Sequence, residues 1–306
     1  MQQRPGDALL NLVAQAGELL LVAPYIKIGA LERILDVHAD RGALTVVTRW
    51  RLDELAAGVS DIGVYPLIRE RRGALALHPA LHAKYYASGD QALIGSANIT
   101  AAALGWREDA NLEILVQSPR EGLRYFEQEL NAGRIDVDDR LYESFRVALA
   151  EFPPIVFAGG SEGAMQLFCC WRPTLRHPED LYQAYIGRSE ELSTSSHQAA
   201  ETDLIALSPP RGMSRAQFDL WIGAQLRQHP ELSAIDAFLE TPRRFGEMRA
   251  FLVRRGVVDG DRAWQQWMRW MLYFLGGDYA MKVANYSEIF SRREVRQKTG
   301  EERAIT

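Results

Sequence analysis

The chain lacks the surplus of basic residues that most nucleic-acid binders carry. Lysines and arginines number 35 against 40 aspartates and glutamates, for a formal net charge of -5. A broad electropositive face is excluded as a property of the whole chain, whereas a local basic cleft is not. Cysteine is scarce, and the two present, Cys169 and Cys170, are adjacent, which suits neither a disulfide framework nor a zinc site. A reducing, cytoplasmic setting is therefore expected. No apolar run reaches membrane-spanning length. The N-terminal apolar stretch is broken by Gln15 and Glu18, with no charged segment and cleavage site before it, so a soluble chain without a membrane span is expected. There is no repeat of fixed period and no low-complexity tract. At 306 residues of ordinary globular composition, one large or two medium domains can each bury a core.

What is present is an alternation of short apolar runs and amphipathic segments. "LLLVAPYI" reads as a strand and "GALERILDVHADRG" as the helix after it. "ALTVVTRW" is a second strand, "RLDELAAG" a short helix, and "IGVYPLI" a third candidate strand before the basic turn at Arg69 to Gly73. This is the pattern of a layered α/β domain. The reading then changes to a hairpin, "HAKYYAS" and "QALIGSAN", joined by the turn-forming pair Gly89-Asp90. A helix is expected from Thr100. "ANLEILVQ" is expected as a strand with Leu112, Ile114 and Val116 on one face and Asn111 and Glu113 on the other. Beyond residue 150, "EFPPIVFAGGSEG" is punctuated by proline and glycine. A boundary is expected there, between a catalytic domain over 1–150 and a mainly helical accessory domain over 151–306. Its candidate helices are "SRAQFDLWIGAQLRQH", "TPRRFGEMRAFLVRRG" and "DRAWQQWMRWMLYFL". In the last, Trp264, Trp267, Met271 and Phe274 share a face and read as core, while Trp270 lies on another. The polar tail from Ser291 is expected to fray.

The hairpin carries a polar set that a structural strand pair does not need. In an extended strand His82 and Lys84 point the same way, and Ser96 and Asn98 repeat that relation on the partner segment. An imidazole, an ammonium, a hydroxyl and a carboxamide would then converge, the groups that phosphodiester cleavage calls for. A histidine nitrogen can attack phosphorus and divide one difficult displacement into two easier ones. Lys84 and Asn98 can neutralise the non-bridging oxygens, with Ser96 as a further donor. Glu113 is placed to fix the orientation of His82.

His82-x-Lys84, then "GSANIT", then a segment bearing Glu113 resembles the phospholipase D superfamily and its HxK…GSxN signature. The resemblance extends over roughly residues 15 to 130, including "LLLVAPYI" and "LTVVTRW". It implies a mixed sheet flanked by helices, a phosphohistidine at His82, phosphate ligands at Lys84 and Asn98, and neither metal nor cofactor. It also implies two motifs per active site, the second histidine serving as general acid. Only one is present, since His177, His197 and His229 each lack a lysine two residues on, so a homodimer is expected. The family's aspartate, usually the fifth residue after the lysine, is Gly89 here. Asp90 follows as a turn residue, and orientation is left to Glu113.

The expected activity is a metal-independent phosphodiesterase, a nuclease on DNA or RNA. Arg49 and Arg51, at the end of a strand, are expected to contact substrate. The Arg69 to Arg72 turn and the Arg243, Arg244, Arg249, Arg254, Arg255 cluster suit phosphate backbones. The alternatives are a phospholipid phosphodiesterase, against which the lack of an amphipathic anchor speaks, and a catalytically silent module within a defence or repair complex.

Overall fold

The apolar runs read from the sequence assemble into a mixed sheet with helices packed on it. The computed structural model describes residues 4–15, 17–38, 42–152, 168, 170–284 and 287–293. Two compact units form, one of residues 1–170 with 206–230 and one of 171–205 with 231–306.

The first unit is built on seven strands. They are β1 (Leu19–Val22), β2 (Leu44–Thr48), β3 (Ala74–Leu77), β4 (Lys84–Ser88), β5 (Gln91–Gly95), β6 (Leu115–Pro119) and β7 (Ile135–Asp136), in the order β6-β5-β4-β1-β2-β3-β7. β2 pairs in parallel with both β1 and β3. The other pairings, β1 with β4, β4 with β5, β5 with β6 and β3 with β7, are antiparallel. All four residues of the central strand β1 are buried, which is why it reads as an unbroken aliphatic run. Leu20, Val22, Val47, Ala76, Tyr85 and Ala87 form a core layer closed by Leu130 of the helix Arg124–Gly133.

Four local expectations are corrected. The hairpin strands are shorter than read, β4 beginning at Lys84 and β5 ending at Gly95, so His82, Ser96 and Asn98 lie beyond them and are not placed by strand alternation. "IGVYPLI" is not a strand but lies largely in the helix Val64–Glu70, whose buried Val64, Tyr65 and Ile68 are spaced for a helical face. Pro66 falls in its first turn, where a missing N–H costs nothing. The third strand is instead Ala74–Leu77. No helix follows Thr100: one turn forms, with Leu104 N–H donating to Thr100 O at 3.0 Å, and Gly105 at φ 73° ends it. The strand expected over 110–117 begins only at Leu115. β6 is the outermost strand, so Leu112, Ile114 and Val116 are exposed rather than packed.

The second unit is mainly helical, with Leu181–Tyr185, Phe245–Arg254 and Gly260–Phe274 among its helices. It also contains a small sheet, β8 (Arg243–Arg244), β9 (Tyr279–Ala284) and β10 (Ser287–Arg292), ordered β8-β10-β9. Ser291 and Arg292, expected to fray, belong to β10; residues 294–306 of the tail, Cys169 and most of the punctuated 151–163 segment lie outside the described residues. Trp264, Trp267 and Trp270 are all buried, and Trp270 Nε1 donates to Leu175 O at 2.9 Å. Among the described residues no helix is long and apolar enough to cross a membrane.

Candidate active site

Register brings the polar set to one end of the sheet. Lys84 at the start of β4 stands opposite Gly95 at the end of β5, and Gly95 stands opposite Leu115 at the start of β6. β4 runs antiparallel to β1, with Tyr85 opposite Val22, so this is also the end at which β1 finishes. Beyond β5 the chain crosses to lie beside the continuation of β1, through an Ile26–Ile99 bridge and the Lys27 N–H to Ile99 O bond of 2.9 Å. Asn98 is thereby set against Tyr25.

Each side chain has a defined place there. His82 is exposed and Lys84 half-buried, with Lys84 Nζ donating to His82 O at 2.8 Å. Asn98 Oδ1 accepts the Tyr25 N–H at 3.4 Å. With the carboxamide oxygen so committed, Nδ2 is the donor left to offer a ligand. Ser96 Oγ donates to Glu113 and accepts the Ile114 N–H at 3.1 Å, so its proton is directed to the carboxylate. The other Glu113 oxygen accepts from Asn111 Nδ2 at 3.2 Å. Beneath them the fully buried Tyr86 donates to Ala97 O at 2.6 Å. Burial and the neighbouring Glu113 charge push its phenol far above the ordinary range.

Arg49 and Arg51 occupy the interior and do not line the rim. Arg49 is 6% exposed. Its guanidinium reaches both Glu54 oxygens, Nη2 to Oε1 at 2.6 Å and Nε to Oε2 at 3.2 Å. It also donates to Tyr25 Oη at 2.9 Å and to Leu81 O at 3.1 Å. Burial raises the Glu54 carboxyl and the Tyr25 phenol, while Arg49, although burial works against it, is held above its usual value by Glu54. Because an arginine stays protonated, this is a buried ion pair. It ties together the residue before His82 and the residue whose N–H holds Asn98. Arg51 is paired with Asp53 at 3.3 Å, and Asp53 in turn accepts from Trp221 Nε1 at 2.9 Å. The sequence held a signal for this outcome: Asp53 and Glu54 follow both arginines within five positions, so their charges are matched locally. Tyr25 and Glu54 were not singled out from the sequence, since nothing marks them until the fold brings them to Arg49.

Among the described residues no three histidines, cysteines, aspartates or glutamates cluster as metal ligands would. At this end of the sheet stand the exposed His82, the half-buried Lys84 bonded to the His82 carbonyl, and Asn98 held on the Tyr25 N–H.

No family model and no curated protein matches the chain by sequence. A solved structure of phosphatidylserine synthase from Haemophilus influenzae Rd KW20 is similar to 52% of this chain at 16% identity, with a TM-score of 0.31. The similarity covers 40% of that protein's length.

Proposed function

We propose that the chain is a phospholipase D-like phosphodiesterase that cleaves nucleic acid without a metal, with His82 as the nucleophile. An imidazole nitrogen of His82 attacks phosphorus, a P–N bond forms, and the P–O bond to the leaving oxygen breaks as that oxygen takes up a proton. Water then attacks the phosphohistidine and frees the imidazole. Lys84 and Asn98 Nδ2 neutralise the non-bridging oxygens. Ser96 and Glu113 support the rim. Arg49 acts one layer behind, as a positioning residue through Leu81 O and Tyr25, and neither it nor Arg51 contacts substrate. The leaving oxygen needs an acid on the far side of the phosphorus, and one chain has one motif. A two-fold related copy supplies the second histidine, so the active species is a homodimer.

One observation carries this reading: His82, Lys84, Ser96, Asn98 and Glu113, spread over 32 positions of sequence, come to the same end of the sheet. The test is a cleavage assay in chelator on labelled DNA, RNA and phosphatidylcholine, comparing wild type with His82→Ala and measuring mass by light scattering. Expected are cleavage of nucleic acid by a dimer, its abolition in His82→Ala, and losses of at least ~100-fold in Lys84→Ala or Asn98→Ala. Near wild-type cleavage by His82→Ala, full activity as a monomer, or hydrolysis confined to phosphatidylcholine overturns it.

A further inference from the structure

In the second unit, four side chains form one stack. The Phe238 and Phe251 rings lie 4.4 Å apart and 8° from parallel. The Arg243 guanidinium sits 4.2 Å from the Phe238 centroid, and that of Arg255 sits 5.6 Å from the Phe251 centroid. Each guanidinium lies within cation–π reach of its own ring. Arg243 is further fixed by donating from Nε to Phe238 O at 3.0 Å, and its Nη1 lies 3.6 Å from Glu247. Arg255 is exposed, as are Arg244 and Arg254 nearby.

The surroundings reverse the charge of the chain as a whole. Over residues 236–293, which include Phe238, ten arginines and lysines stand against seven carboxylates, a formal +3 in a chain whose total is -5, and one of the ten, Arg292, is paired with Asp236 at 2.6 Å. Two arginines at the end of the helix Phe245–Arg254 favour its dipole, but a surplus spread over two helices and a small sheet exceeds what one helix end uses. A guanidinium flat on an aromatic ring keeps its edge N–H groups for phosphate and presents its outer plane to a base.

We propose that the Arg243–Phe238–Phe251–Arg255 stack, with Arg244 and Arg254, is a docking surface for single-stranded nucleic acid outside the candidate active site. Bases continue the stack on Arg255 while phosphates meet the edges of Arg244 and Arg254. This surface binds whether or not His82 is a nucleophile, so it stands or falls separately from the phosphodiesterase reading.

The experiment is fluorescence anisotropy of a labelled single-stranded DNA oligonucleotide on full-length His82→Ala, with and without Arg244→Glu, Arg254→Glu and Arg255→Glu. The triple charge reversal should weaken binding at least ~10-fold at low salt and lower the salt slope by about 0.7 for each phosphate no longer neutralised. It should lower the thermal midpoint by only a few degrees, the cost of reversing charges at a helix C-terminus, and leave the unfolding transition cooperative. An oligonucleotide of equal length carrying abasic sites should bind more weakly than the intact one, because the charge is kept and the stacking is not. Unchanged affinity and slope after charge reversal overturn the proposal. So does equal binding of abasic and intact strands, or a reversal that abolishes binding to phosphatidylglycerol vesicles and spares the oligonucleotide. In Phe251→Leu the ladder is broken without a change of charge, and preference for the intact strand should vanish while the salt slope stays.

Discussion

Glu54 in the first unit and Asp203 in the second are both fully buried carboxylates, and they are kept in the interior by opposite means. Glu54 faces a cation, Arg49, with the Tyr25 hydroxyl donating at 3.1 Å. Among the described residues Asp203 has no cation. It accepts from Trp171 Nε1 at 2.8 Å, Leu175 N–H at 2.8 Å, and the N–H and hydroxyl of Thr174 at 3.0 and 2.9 Å. Burial pushes Asp203 up to about 6, against the lowering pull of these donors. The ion pair joins residues five apart at a large desolvation cost and leaves the arginine's other donors to reach Leu81 and Tyr25; the neutral donors clamp one short turn onto one helix and leave a group that titrates. The first arrangement braces the backbone around the candidate site, and the second leaves a carboxyl whose protonation is tied to stability.

The largest effect should come from breaking the pair on one side. Glu54→Ala leaves the Arg49 charge buried and unmatched, and should cost about 3 to 5 kcal/mol in denaturant unfolding. Replacing both, as Arg49→Met with Glu54→Leu, should recover most of that stability while turnover stays at least ~100-fold down, because Leu81 O and the Tyr25 hydroxyl lose their anchor. If the double variant is active, the pair is structural only.

Next in size is the pH response of Asp203. Its carboxyl titrates at about 6 in the fold against 3.8 in the unfolded chain. Between those values the folded chain binds the proton more strongly, so stability falls as pH rises through the window, by about 3 kcal/mol in total. The penalty is complete above the folded value and absent below the unfolded one. Asp203→Asn should flatten this slope when unfolding midpoints are followed from pH 4 to 7; a slope equal to wild type would remove Asp203 as its source. Glu127 should act with the opposite sign. Although burial raises it, hydrogen bonds from Arg120 and Tyr85 hold it below the usual range, so its contribution is lost on acidification.

The smallest effect expected is that of Tyr25→Phe. It removes a hydroxyl that only bridges Arg49 and Glu54, leaves the Tyr25 N–H on Asn98, and should cost about 1 kcal/mol. A loss as large as that of Glu54→Ala would place the weight of the network on the phenol instead of the ion pair.

These contrasts also mark what can be read from sequence. The α/β class was legible because β1 and β2 are short aliphatic runs separated by an amphipathic helix. His82-x-Lys84 and Gly95-Ser96-x-Asn98 stood out as contiguous patterns, but the strand period of two expected of them does not hold there, since β4 begins only at Lys84 and β5 ends at Gly95. "IGVYPLI" misled because its residues favour strands while its burial follows a helical period. The strip Leu112, Ile114 and Val116 misled because alternation reveals two faces but not whether either is covered, and β6 is an edge. Arg49 misled for a third reason: a strand-end arginine reads the same whether it points to solvent or to a carboxylate five residues on.

Gly95 carries the last consequence, and it concerns inheritance. A Cβ built there would stand 1.9 Å from Ile114 O, the same carbonyl that accepts the Ser96 N–H at 3.0 Å. Every other amino acid brings that carbon, so any coding change at this position prises β5 from the segment carrying Glu113. The lesion falls on the rim while the aliphatic layer around β1 stays packed. A lineage could therefore lose the rim geometry in one mutational step at Gly95 and keep a folded protein.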